Sequence, residues 1–122
     1  MNHIWTWMRN GTPVLTTPEG IDIANDFELR GKLLSVIAWN PVVVVDGSTY
    51  RTFFSVSAMR VLDEAGRRMA TAGGELRLAT TRPKMRRDLE IVDYGNHLRI
   101  FRDLDEALDV PQQIRMLQPQ AA

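Results

Sequence analysis

The sequence VVVVDGSTYRTFFSVSAMRVLDEAGRRMATAGGELRL, from Val42 to Leu78, decides the fold. Its four opening valines, without polar alternation, are typical of a strand buried on both faces, as in parallel sheets. A helical pattern follows over 58–72, and a second apolar run follows Gly73 and Gly74. Strand, helix and strand in this order predict a right-handed βαβ unit. Because α/β proteins place functional groups where such strands end, the loop 46–57 is the first candidate site.

The composition is that of a single globular domain without a strong net field. The 122 residues carry 15 basic and 15 acidic side chains, so we expect no attraction to nucleic acid or to an acidic membrane. The absence of cysteine excludes disulfides, thiolate metal sites and a cysteine nucleophile. His3 and His97 are too few for a histidine-rich metal site, so no metal or cofactor is expected. No segment resembles a signal peptide or a membrane span, and a cytoplasmic location is predicted.

The pattern around the βαβ unit predicts one mixed α/β domain over residues 1–110. Residues 1–17 are expected to form a hairpin that turns at Asn10-Gly11, or one strand with an ordered arm. In that segment, Trp5 and Trp7 either form a partner-binding surface or cover a sheet edge or the core, and the second interpretation is favoured because large aromatic side chains are mostly buried.

Helix signals recur along the rest of the chain. A helix capped by Asn25 or Asp26 is predicted to end before Pro41. The central helix, over about 56–71, carries an apolar stripe on which Met59 and Met69 are read as core residues. The first helix is predicted to turn an inner face of Phe27, Leu34, Ile37 and Ala38 toward the core. A further helix is predicted from Pro83, with Met85, Leu89 and Val92 inward. A strand over 98–101, a helix over 104–108 capped by Asp103 and a weakly ordered tail over 111–122 complete the chain.

The polar clusters do not predict catalysis. The carboxylate pairs Asp22/Asp26 and Glu90/Asp93 are attributed to helix caps or solvated faces. There is no glycine-rich phosphate loop and no serine-hydrolase elbow, so the chain is not expected to be an enzyme. Asp46, at the end of a buried strand, suggests a phosphoacceptor like that of a response-regulator receiver, but the helix count does not fit that fold.

Two further clusters carry alternative interpretations. One predicted helix starts with four basic residues, Arg82, Lys84, Arg86 and Arg87, at the end where the macrodipole disfavours cations. This indicates either a docking face for an acidic partner or a solvated surface. Ser55 and Ser57 precede the central helix. Either serves as its N-cap, or is phosphorylated where free N–H groups meet the phosphate.

The order and spacing of several segments resemble the STAS domain, the family of anti-sigma factor antagonists. The resemblance covers about residues 18–108. It implies a mixed sheet of four to five strands, with about four helices mainly on one face. The segments that carry it are Glu19–Asn25, Val42–Asp46, Ser57–Leu62, Gly73–Leu78, Pro83–Leu89 and Phe101–Leu108.

The resemblance also implies a function in transcription regulation. In this family an anti-sigma factor, usually a serine kinase, binds around the N-terminus of the central helix, and phosphorylation of a serine there releases it. Here the implied contact residues are Asp46, Thr52, Phe54, Ser55, Val56, Ser57, Ala58, Met59 and Arg60. The chain would then be a signalling protein that acts through protein–protein interaction.

The sequence departs from the family at the phosphorylation site, where the family pattern is Asp-Ser-(Ser/Thr)-Gly. Counting back from the helix places Val56 at the acceptor position, whereas counting forward from Asp46 places Ser55 there. The first count keeps the apolar stripe in phase and is preferred. Either Ser57 or Ser55 then replaces the acceptor, or the switch is lost. A divergent scaffold, a homodimer through the tryptophan-bearing N-terminus, and a small-ligand site near Asp46 and Ser55 remain alternatives.

Overall fold

The computed structural model describes residues 4–16, 23–47, 56–92 and 97–111. In these ranges the strands are β1 (Trp5–Arg9), β2 (Thr12–Thr16), β3 (Val42–Asp46), β4 (Glu75–Ala79) and β5 (Leu98–Phe101). The helices are α1 (Ile23–Ile37), α2 (Val56–Thr71), α3 (Pro83–Val92) and α4 (Leu104–Asp109).

The five strands form one mixed sheet in the order β1-β2-β3-β4-β5. β1 is antiparallel to β2, and the other neighbours are parallel. This confirms the predicted fold class. The order of the described strands follows the chain and does not reverse. These strands therefore form no switch point of the kind at which α/β proteins open a ligand crevice. A receiver fold has such a reversal, so the receiver arrangement is excluded.

The valine strand is buried on both faces, as predicted. Val43 and Val45 pack in the larger core with α1, α2 and α3, whereas Val44 packs in a smaller core with α4. Because the parallel crossovers are right-handed, the three connecting helices share one face of the sheet. Of the four helices in the described ranges, only α4 covers the other face, so the helices lie mainly on one side, as expected.

Strands β1 and β2 form a hairpin with a two-residue turn. Asn10 and Gly11 have φ angles of 51° and 81°, the left-handed pair that a tight hairpin turn requires. The expectation that the tryptophans are buried is wrong. The side chains of Trp5 and Trp7 are 68% and 37% exposed, although the Trp7 indole N–H donates to Thr16 Oγ1 at 2.9 Å.

The first helix differs from its predicted start and face. α1 begins at Ile23, so Asn25 and Asp26 lie inside it and do not cap it. Phe27 is 75% exposed and Ala38 lies in the exposed turn after the helix. Among the side chains described from Phe27 onward, Leu29 and Leu33 are fully buried, and a stripe drawn through Phe27 and Leu34 misses both. Val36 and the predicted Leu34 and Ile37 are partly buried. α1 contacts mostly α2 rather than the sheet, which moves its buried face.

The other helices match their predictions closely. In α2, Leu62, Ala65 and Met69 are buried and Met59 is half-buried. The helix ends at Thr71, and Gly73 follows with a φ of 84°, the left-handed conformation of a C-terminal cap.

α3 begins at Pro83 and buries Met85 and Leu89. Asp103 caps α4 by accepting a hydrogen bond from the Glu106 N–H at 2.8 Å. Residues 17–22, 93–96 and 112–122 lie outside the described residues.

Candidate functional site

The N-terminus of α2 is the predicted contact surface, and the structure describes part of it. The helix begins at Val56, so Ser57 lies in its first turn, past the N-cap position. Ala58 is completely buried in the larger core, so its side chain cannot form part of a contact surface. Met59 is half-buried and Arg60 is exposed. The side chains available to a partner in this turn therefore include Arg60 and the outer part of Met59.

Asp46 lies close to this helix along the chain but on the opposite face of the sheet. It follows Val45 of the larger core, and side chains alternate between faces along a strand. Its register partner is Ala79, which belongs to the smaller core with α4. Asp46 is 6% exposed. Because Asp46 is nearly fully buried, its side chain offers little surface to a partner.

Three further predicted contact residues, Thr52, Phe54 and Ser55, lie outside the described residues, and so do the side chains of Val56 and Ser57. Phosphorylation of Ser55 or Ser57 accordingly stays a prediction.

A group of basic side chains lies at the same edge of the sheet. The Gly47 N–H donates to the Ala79 carbonyl at 2.8 Å, which joins the ends of β3 and β4 at the edge where α2 and α3 begin. Arg82, Lys84 and Arg87 are exposed there. Arg60 lies near the start of α2, at the same end of the strands, and we call these four exposed basic side chains the basic edge.

Helix dipoles add to the positive character of the basic edge. The first turns of α2 and α3 contain no acidic side chain. Each N-terminus therefore presents a partial positive charge that no neighbouring carboxylate in its own first turn offsets. Arg86, half-buried, is turned back to donate to the Thr80 carbonyl at 2.9 Å, which holds α3 against the end of β4. The arrangement favours an anionic group, such as an acidic side chain or a phosphate.

Two cavities in the described part of the chain lie away from this edge. One, of about 240 Å³, is formed where α1 and α2 end and includes Trp39, Pro41 and Gly73. The other, of about 480 Å³, lies between the last turns of the same helices, beside Arg67 and Arg68. Neither of these two includes Asp46.

A buried charged cluster, which the sequence did not predict, lies under α4. Glu75 Oε1 accepts hydrogen bonds from Arg77 Nε at 2.7 Å and from Arg99 Nη1 at 3.0 Å. Both arginines lie against the Phe101 ring, with guanidinium carbons 5.6 and 5.3 Å from its centroid. Arg77 also donates to the Ala107 carbonyl at 2.6 Å, so the cluster attaches α4 to the sheet. The charged residues that alternate with apolar ones in the short run Glu75–Ala79 are the sequence signal from which this cluster could have been predicted.

Within the described residues, no three histidine, cysteine or acidic side chains are grouped as a metal site would require. No helix in these ranges has both the length and the apolar character to cross a bilayer.

The comparisons with known proteins agree with this architecture. A family model described as the STAS domain matches residues 8–107, which is most of the chain. The chain belongs to the STAS domain family. No match is found among curated proteins.

Several solved structures share the fold at low sequence identity. An anti-sigma factor antagonist from Mycobacterium paratuberculosis superposes with a TM-score of 0.75 at 19% identity, over 88% of this chain and 92% of that one. The RsbS protein of Moorella thermoacetica gives 0.72 at 19% identity, over 87% and 92%. An antagonist described as putative, from Thermotoga maritima, gives 0.73 at 13% identity, over 86% and 91%. The family model confirms the resemblance to STAS domains, and these structures confirm the fold.

Proposed function

We propose that this STAS domain is an anti-sigma factor antagonist-like regulator that binds an anti-sigma factor or a related serine kinase. It acts by binding rather than by catalysis. The contact surface is the first turn of α2 together with the loop that precedes it, and the basic edge extends it. The observation that carries the proposal is the exposed Arg60 at a helix N-terminus without acidic neighbours in its first turn.

The basic edge defines the kind of partner surface that fits. Positive side chains and two helix N-termini attract carboxylates, so the partner is expected to present an acidic patch. An interface of this kind also responds to phosphorylation. About two negative charges placed on the first turn of α2 would oppose an acidic partner without unfolding the helix, because the dipole and its N–H groups stabilise a phosphate there.

The altered acceptor makes that switch different from the family pattern. Val56, at the position preferred for the acceptor, carries no hydroxyl. Control by phosphate then depends on Ser57 or Ser55, and otherwise the domain binds constitutively. Ser57 lies in the first turn of α2, where a phosphate would be adjacent to the positive end of the helix.

The binding proposal is tested with the anti-sigma factors and serine kinases encoded beside this chain's gene. Each is purified and titrated with the full chain by isothermal calorimetry. Arg60→Ala is expected to weaken the complex by roughly tenfold, the effect of truncating one charged contact. Arg67→Ala is the matched control, because Arg67 is exposed on the same helix two turns further along. Equal affinities for the two variants, or no complex with any candidate, would reject the proposal.

The switch is tested separately by mass spectrometry. The chain is incubated with the bound kinase and ATP, alongside Ser57→Ala, Ser55→Ala and the double variant. An added phosphate that disappears in one single variant identifies the acceptor. A phosphate that persists in the double variant would show that the acceptor lies elsewhere, and no phosphate in any sample would show that this domain binds without the switch.

A further inference from the structure

The edge strand β1 has the features of an unprotected sheet edge. All five of its residues are exposed. It pairs with β2 on one side, and no described strand pairs with its other side. Proteins usually protect such an edge with proline, lysine or a bulge. β1 contains neither residue, and its one-to-one register with β2 contains no bulge.

The hairpin turn determines which backbone groups point outward from β1. A two-residue loop at 10–11 closes on the pair Arg9 and Thr12, which in such hairpins is hydrogen-bonded. Hydrogen-bonded and non-hydrogen-bonded pairs alternate along an antiparallel ladder. The N–H and C=O groups of Thr6 and Met8 therefore point away from β2, toward the open edge.

Apolar side chains of β1 lie on both faces of this edge. Trp5 and Trp7 lie on the α4 face, since Trp7 is opposite Val14 of the smaller core. α4 packs mainly on β3, β4 and β5 and reaches β1 through the Arg9–Asp105 ion pair, and among the described residues none buries either indole. Met8, on the other face, is 58% exposed. The Trp7 hydrogen bond to Thr16 holds one indole in place before any partner arrives.

We propose that a second copy of this chain pairs its β1 antiparallel to this one, about a two-fold axis at Thr6. The outward N–H and C=O of Thr6 then exchange both hydrogen bonds with Thr6 of the second copy. Trp5 lies opposite Trp7 of the second copy, and aromatic pairs of this kind are among the favourable cross-strand contacts. Arg9 stays outside the paired segment and keeps its ion pair with Asp105 at 3.3 Å.

A second copy fits this edge better than an unrelated segment for two reasons. In an antiparallel pair about a two-fold axis, Trp5 of each copy lies opposite Trp7 of the other copy, so the surface is self-complementary. The chain carries no net charge, so two copies do not repel each other. Four indoles and two strand edges bury on the order of 1,000 Å², near the lower end for specific interfaces, so the dimer should be reversible.

The proposal is tested by sedimentation equilibrium of the full chain over a wide range of concentrations. The apparent mass is expected to rise from 13.9 kDa toward twice that value. Trp5→Lys should weaken association by at least about tenfold, because it removes a central aromatic contact and adds a charge on each copy. Trp39→Lys is the matched control, since Trp39 is 84% exposed in the turn after α1. A monomer at every concentration, or equal loss in both variants, would overturn the proposal.

A cysteine cross-link tests the register independently and does not require Trp5 to be changed. The chain has no cysteine, so Thr6→Cys introduces a single thiol at the proposed axis. Under mild oxidation it should form a disulfide-linked dimer much faster than Thr81→Cys, a control at another exposed threonine. Equal rates would reject the register. A chain that stays monomeric while β1 binds a segment of another protein would reject the second copy as occupant.

This dimer is independent of the proposed anti-sigma function. The two surfaces are separated in the sheet by β2. Trp5→Lys should leave binding of the anti-sigma partner unchanged, and Arg60→Ala should leave self-association unchanged. Failure of one proposal is therefore distinguishable from failure of the other.

Discussion

Glu75 is the residue whose charge the interior depends on most. It is 3% exposed, and its carboxylate accepts hydrogen bonds from Arg77 and Arg99. Arg77 is also buried, so its charge is compensated chiefly by this carboxylate and the Ala107 carbonyl. Removing one partner of a buried ion pair leaves the other charge desolvated and uncompensated.

Glu75→Gln is therefore expected to reduce the free energy of unfolding by about 3–5 kcal/mol. The substitution keeps the size of the side chain and removes only its charge. Urea denaturation followed by circular dichroism measures the change. Glu90→Gln, an exposed position on α3, is the control and should change stability by less than about 0.5 kcal/mol. If Glu75→Gln reduced the free energy of unfolding by as little as Glu90→Gln does, solvent would have to reach the cluster.

Two helical glycines allow one substitution to be compared in opposite environments. A Cβ on Gly66 in α2 would lie 2.6 Å from the His97 carbonyl oxygen, which belongs to the backbone before β5. A Cβ on Gly31 in α1 would meet nothing within 4 Å. Helix propensity favours alanine at both positions by about 0.8–1 kcal/mol, so only packing separates them.

Gly31→Ala is thus expected to stabilise the protein by roughly 0.5–1 kcal/mol. Gly66→Ala should instead destabilise it by about 1–3 kcal/mol, because α2 has to move away from β5. Thermal unfolding of the two variants against the parent chain gives both signs in one experiment. Stabilisation by both would mean that the segment at His97 yields easily.

An ion pair between α1 and α2 makes their packing dependent on pH. Arg30 donates to both carboxylate oxygens of Glu64, at 3.0 and 3.1 Å. The Arg30 hydrogen bond, with the attraction of Arg30 and Arg68, lowers the pKa of Glu64 below its ordinary value of 4.5. A carboxylate whose pKa is lower in the folded state stabilises the fold above its unfolded pKa, and this stability is lost as the pH falls through the folded value.

Stability is accordingly expected to fall between pH 4.5 and more acidic values, and Glu64→Gln should flatten part of that decline. The difference should be small, since the pair is exposed to solvent. Urea midpoints measured from about pH 7 to about pH 3 give the two curves, with Glu90→Gln as the control for an exposed glutamate. Parallel curves for the parent chain and Glu64→Gln would contradict the role of this pair.

At the scale of the whole molecule, the two proposed surfaces should respond to salt in opposite ways. The basic edge attracts an acidic partner through charges, which added salt screens. The β1 edge associates through indole rings and backbone hydrogen bonds, which depend little on screening. The distinction follows from where the sheet places each surface.

Raising the ionic strength from about 0.05 to 0.5 M is expected to weaken the partner complex several-fold, because the Debye length becomes shorter than the span of the contact. Self-association should stay constant or strengthen slightly over the same range. Calorimetry and sedimentation in matched buffers measure the two effects. A self-association that weakens as steeply as the partner complex would contradict an apolar dimer edge.

The sequence by itself determined the architecture of this STAS domain. The valine run, the α2 stripe, Gly73, Pro83 and Asp103 act through local backbone preference and burial periodicity, which depend on residues close in the chain. Element type, sheet class and most helix bounds followed from them.

Only the tertiary structure decided what each face touches. It turned Phe27 outward, left Trp5 exposed, placed Asp46 on the face away from α2, and buried Glu75 between two arginines. Each of these depends on contacts between segments distant in sequence, where burial is fixed by which element packs above a residue. A local pattern carries no information about that neighbour, so the surfaces available to a partner could not be derived from spacing alone.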